Sequence, residues 1–92
     1  MKVLYFSAPW CGPCRAFGPL MDQLKTLLEE SPEIGATVKK INVDEDAEST
    51  VKYGISGIPA VIIEKEDGTI VERFTGARSK VQILELIHKH KD

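Results

Sequence analysis

The chain has 92 residues, 42% hydrophobic and 28% charged, with a formal net charge of −2. This reads as one soluble globular domain spanning residues 1–92, not a disordered or multi-domain chain. No basic stripe and no stretch near the ~20 apolar residues of a bilayer span occurs, which argues against nucleic acid and membrane as partners.

Lys2–Ser7, rich in aliphatic and aromatic residues, predicts a first strand. Its four-residue apolar run is too short for the core of an export signal, so the chain is expected to be cytoplasmic. Ala8 to Pro13 carries turn chemistry that ends the strand. A helix follows from near Cys11 to about Glu30, with Phe17, Leu20, Met21, Leu24, Leu27 and Leu28 at the spacing of one buried face. Pro19 removes a backbone donor inside it and predicts a kink.

Ser31–Gly35 reads as a loop and Ala36–Val43 as a second strand, closed by Asp44-Glu45-Asp46. A short helix over Ala47–Tyr53 ends at Gly54, suited to a left-handed C-terminal position. Two strands, Ala60–Lys65 and Thr69–Phe74, flank the hairpin signal Glu66-Asp67-Gly68. Ser79 and Gln82 form a capping box for a last helix, with Val81, Leu84 and Ile87 on its inner face. The order β-α-β-α-β-β-α predicts an α/β fold. Two parallel strands joined by a right-handed helical crossover and an antiparallel hairpin make one mixed four-stranded sheet, with helices on both faces.

Cys11 and Cys14 are the chain's two cysteines. A disulfide across so short a loop adds little stability by chain entropy, so the pair reads as chemical rather than structural. The first turn of a helix brings positions i and i+3 together. Its unpaired N–H groups and positive dipole end favour a thiolate on Cys11. Cys11 is then the exposed, attacking sulfur and Cys14 the shielded, resolving one. Zinc is the alternative, since C-x-x-C is half of many zinc sites. The remaining candidate ligands, His88 and His90, are two residues apart on a helix and face different ways, so no metal ligand is assigned.

Trp10-Cys11-Gly12-Pro13-Cys14 resembles the active site of thioredoxins. Lys40-Ile41-Asn42-Val43-Asp44, Tyr53-Gly54-Ile55-Ser56-Gly57-Ile58-Pro59 and Phe74-Thr75-Gly76 are similar to further segments of that family, and the likeness covers almost the whole chain. The resemblance implies a minimal thioredoxin fold with a redox-active disulfide Cys11–Cys14 and no bound cofactor. It implies catalytic roles for both cysteines and a cis bond before Pro59. Substrate would dock on Trp10, Gly12, Pro13, Gly57, Ile58, Pro59, Gly76 and Ala77, pairing as an extended segment with the Ile58 backbone.

Two positions depart from the family pattern, and a third, Lys40, matches the family lysine that partners one of the replaced residues. Tyr5 stands where the family has a buried aspartate credited with accepting the resolving thiol's proton. Ser7 replaces a common tryptophan, and Lys40 is left without that aspartate as partner. Taken alone, Tyr5 reads as a half-buried strand aromatic and Lys40 as a strand-end lysine reaching for solvent. Typical members also carry a strand and helix before the segment that here begins at Met1.

The implied activity is protein-disulfide reduction by a monomer recharged by an NADPH-dependent thioredoxin reductase. A glutathione-linked, glutaredoxin-like enzyme and a non-enzymatic binding module are the alternatives. An exported oxidase or isomerase fits less well, because Gly12-Pro13 lacks the histidine usual there.

Overall fold

The computed structural model describes residues 1–91; Asp92, the end of the expected domain, lies outside the described residues. Strand β1 spans Lys2–Ser7 and helix α1 Gly12–Glu30, followed by a 3-10 turn at Pro32–Ile34. Strand β2 spans Thr37–Asn42 and helix α2 Ala47–Lys52. Strands β3 (Ala60–Glu64) and β4 (Ile70–Thr75) precede helix α3 (Lys80–His90). Each predicted element is present, with ends moved by a residue or so, where terminal hydrogen bonds fray.

The sheet order is β2-β1-β3-β4. Strand β1 pairs parallel with β2 and antiparallel with β3, and β3 pairs antiparallel with β4. The two interior strands are buried on both faces. Val3, Tyr5, Val61 and Ile63 point to one core with α1 and α3. Leu4, Phe6, Ala60 and Ile62 point to the other, with Ile41 and, at its edge, Tyr53, Ile55 and Ile58. The alternation follows from the two-residue period of a strand.

Two helix faces differ from expectation. In α1 the buried seam is Phe17, Met21, Leu24 and Leu28, while Leu20 is partly covered and Leu27 is exposed. In α3 the buried residues are Ile83 and Ile87, and Val81 is 63% exposed. Ile83 and Ile87 pack on β1 and β3, and Val81 lies two residues, roughly 200°, around the helix from Ile83. Both halves of the capping box form, at 3.1 Å and 2.9 Å. Helix α1 continues through Pro19 to Glu30.

Candidate redox site

Strand β1 ends at Ser7, and a turn closed by the Cys11 N–H donating to Ala8 O at 3.1 Å delivers Cys11 to the start of α1. Cys11 is the N-cap, with extended backbone (φ −83°, ψ 112°), and its Sγ accepts the Cys14 N–H at 3.2 Å. The sulfur thus occupies the place where a serine or aspartate oxygen would satisfy an orphan donor. Gly12 and Pro13 form the exposed first turn, where proline's missing N–H costs nothing. Cys11 and Cys14 are joined as a disulfide, Cα atoms 5.2 Å apart.

One expectation is corrected. Cys11 is 4% exposed and Cys14 5%, so exposure does not separate the two. The asymmetry lies in the helix start: Cys11 Sγ sits on a backbone donor, and Cys14 lies one turn inside.

On one side of the pair, Trp10 is 65% exposed, and its indole Nε1 donates to Asp44 Oδ2 at 2.8 Å. Trp10 shares a shallow groove of about 130 Å³ with Val43, Ile55, Gly57 and Ile58. The Ile58–Pro59 bond is cis, as expected. The Gly76 N–H donates to Pro59 O at 2.7 Å, tying the two loops together. Gly76 has φ +90°, which glycine adopts freely, and Ala77 beside it is exposed. A Cβ on Gly57 would come 3.3 Å from Thr75 Cγ2, so a side chain there would crowd β4.

On the other side lies an open cleft of about 340 Å³ lined by Tyr5, Ser7, Cys14, Gly18 and Lys40, with Pro9 and Arg15 at its rim. Tyr5 is 1% exposed, not half-buried, because β1 is an interior strand. Its hydroxyl donates to Cys14 O at 3.3 Å, and its ring packs edge-on against Phe17. Burial raises the Tyr5 pKa above its ordinary value. A hydrogen bond with Ser7 and the Lys40 charge oppose that shift, and the Asp22 charge adds to it. Lys40 is not left unpaired: its Nζ lies 2.8 Å from Asp22 Oδ1. Both partners are partly solvated, so the pair contributes little to stability.

Among the described residues no group of three or more histidines, cysteines, aspartates or glutamates is placed to hold a metal ion. His90 instead contacts Glu72 at 2.9 Å. No helix among them is long and apolar enough to cross a membrane.

Sequence reasoning missed two residues. Asp44 was visible as part of an acidic turn and as the last residue of the Lys40–Asp44 segment that carries the resemblance, but not as the partner of Trp10. Asp22 gave no signal, since its partner Lys40 lies 18 positions away.

The thioredoxin family model matches residues 1–89. A thioredoxin of Bacillus subtilis is 40% identical over 87 residues, 92% of this chain and 77% of the relative. One from Chlamydia pneumoniae is 40% identical over 90 residues, covering 98% and 82%. The X-ray structure of Fasciola hepatica thioredoxin superposes with a TM-score of 0.78 at 37% identity, over 98% of this chain and 80% of that one. With a disulfide-forming pair at the head of α1 and the matching sheet beneath it, the chain belongs to the thioredoxin family and is a thiol–disulfide oxidoreductase that reduces protein disulfides.

Proposed function

We propose that Cys11 is the nucleophile of this reductase and Cys14 the resolving thiol. The observation that carries the assignment is the N-cap position of Cys11, whose Sγ accepts the Cys14 N–H at 3.2 Å. That contact and the helix dipole stabilise a negative sulfur at Cys11. The Cys11 thiolate attacks a substrate disulfide, expelling one substrate sulfur as thiolate. The resulting mixed disulfide is then attacked by Cys14, which closes Cys11–Cys14 and releases the second substrate sulfur. Two electrons pass from the dithiol to the substrate.

The substrate segment docks across Trp10, Gly12, Pro13, Gly57, Ile58, Pro59, Gly76 and Ala77. The exposed indole and the groove beside Ile58 support an apolar contact, and the loop before β3 supports pairing to an extended chain. The oxidised protein is recharged by an NADPH-dependent thioredoxin reductase, and it works as a monomer in the cytoplasm, where thiols are kept reduced.

The test is trapping during insulin reduction. Cys14→Ser accumulates a covalent complex with substrate and Cys11→Ser does not. The opposite pattern refutes the assignment. Oxidation of NADPH with thioredoxin reductase, compared with glutathione and glutathione reductase, separates the two electron donors.

A further inference from the structure

Glu64 is the one charged side chain buried among the described residues, at 7% exposure. It ends β3 on the face that Ala60 and Ile62 give to the core, where an apolar side chain would serve and a carboxylate costs desolvation. The reaction above makes no use of it. What it holds is Tyr53, the residue at which α2 stops: the Tyr53 hydroxyl donates to Glu64 Oε2 at 2.9 Å. The same tyrosine is held twice more. Its carbonyl accepts from Arg73 Nη2 on β4 at 2.7 Å, and its ring lies 5.8 Å from that of the buried Phe6 on β1.

The chain turns at the next residue. Gly54 has φ +64°, and the Ile55 N–H reaches back to Thr50 O at 3.0 Å. A Cβ added to Gly54 would come 4.0 Å from Arg73 Nη2, so the guanidinium lies over this turn. From there the loop runs to Pro59, and its Ile55, Gly57 and Ile58 form the groove shared with Trp10. The far end of the loop is tied to the segment after β4 by the Gly76 N–H on Pro59 O. Among the described residues the near end has no backbone bond to the sheet, and the side chains of Glu64 and Arg73 take that part.

We propose that Glu64 and Arg73 are positioning residues for substrate: by clasping Tyr53 from two strands they fix the direction in which the docking loop leaves α2, and so set the affinity for a protein disulfide. The inference rests on the reading of Gly57, Ile58 and Pro59 as docking residues. Neither side chain lines the groove, so each acts through the loop. A loop already held in its binding shape loses less freedom when substrate pairs with it. The exchange at the sulfurs does not depend on the clasp.

The experiment compares steady-state reduction of insulin, with excess dithiothreitol as reductant, with attack of the reduced protein on the small disulfide 5,5′-dithiobis(2-nitrobenzoate). Arg73→Ala and Tyr53→Phe each remove one hold and keep the ring on Phe6. Each raises KM for insulin about threefold, the worth of one net hydrogen bond, and the two together raise it about tenfold. Meanwhile kcat and the rate with the small disulfide stay in place. Glu64→Gln keeps an acceptor for the Tyr53 hydroxyl and holds the wild-type KM, whereas Glu64→Leu raises it as Tyr53→Phe does. Replacing a buried carboxylate by leucine leaves urea stability level or higher, so a rise in KM there separates positioning from loosening of the fold. Arg73 is exposed, and Arg73→Ala carries the test if a variant at Glu64 does not fold. An unchanged KM in folded Arg73→Ala and Glu64→Leu overturns the proposal, as does a small-disulfide rate that falls as far as KM rises. Gly76→Ala, at the other tie, tells the two readings apart. If it raises KM while the clasp variants do not, the clasp alone falls; if it also leaves KM unchanged, the docking surface itself falls with it.

Discussion

Tyr5→Phe removes a single buried oxygen and leaves the ring. The ring keeps its burial and its edge-on contact with Phe17, whose centroid is 5.4 Å away. What is lost is the hydrogen bond to Cys14 O, which at 3.3 Å is long for an O–H donor, and the contact with the Ser7 hydroxyl. A net hydrogen bond contributes about 0.5–1.5 kcal/mol. The length places the bond to Cys14 O toward the lower part of that range, and the Ser7 contact adds a second. The expected destabilisation is therefore about 1–2 kcal/mol, at roughly 4–8 °C in Tm per kcal/mol for a domain of this size. Tyr5→Ala instead deletes the ring and costs about 3–5 kcal/mol.

The effect of pH has a definite sign. The folded phenol has a raised pKa, so its contribution is fully present below the unfolded value of about 10 and is lost as pH rises through the folded one. Phenylalanine has no such loss, so the deficit of Tyr5→Phe shrinks above pH 10. Tyr53 also titrates high, through burial and its bond to Glu64, but it is present in both proteins and cancels. Urea unfolding of the oxidised proteins between pH 7 and pH 11 measures both effects. A Tyr5→Phe cost approaching that of Tyr5→Ala, or a deficit that widens in alkali, refutes the reasoning.

A carboxylate at the same position should disfavour a second negative charge nearby. Tyr5→Asp, if folded, then moves iodoacetamide alkylation of Cys11 to higher pH and makes the reduction potential more negative; no change in either sinks the idea. Ile83→Ala costs about 2–4 kcal/mol in urea unfolding, whereas Val81→Ala stays within about 0.5 kcal/mol, and equal costs would contradict the helix phase described here. Asp46 accepts the Ser49 N–H at the head of α2, and that bond lowers its pKa. Its stabilising effect is present above the ordinary aspartate value and is lost as pH falls through the folded one, so Asp46→Ala and the wild type should converge in stability at acid pH. Gly76→Ala forces φ +90° on an alanine, so it should weaken insulin reduction mainly through KM while the alkylation profile of Cys11 stays in place.

The order of elements was legible because local signals agreed: an apolar seam in α1, Glu66-Asp67-Gly68 between two strands, and a capping box at Ser79. Finer features depend on contacts between distant segments. Val81 and Ile83 are equally apolar, and which of them faces inward depends on how α3 sits on β1 and β3. Tyr5 reads as half-buried from its own strand, and its full burial follows from that strand being interior. The cysteines were legible as a pair, but not their equal burial, since that depends on the loops folded over them. The Lys40–Asp22 pair joins β2 to α1 and leaves no mark at either position alone.

The site hangs from the two interior strands: Cys11 follows the end of β1, and Pro59 immediately precedes β3. These strands are covered on both faces and bonded on both edges, so they belong to the part of the molecule that opens only when everything opens. Amides of Phe6 and Val61 should exchange with solvent deuterium at the rate set by global unfolding, while α2 and the hairpin tip exchange through small local excursions. The turn that delivers Cys11 and the loop that ends at Pro59 are therefore each anchored at one end to the part of the molecule that opens last.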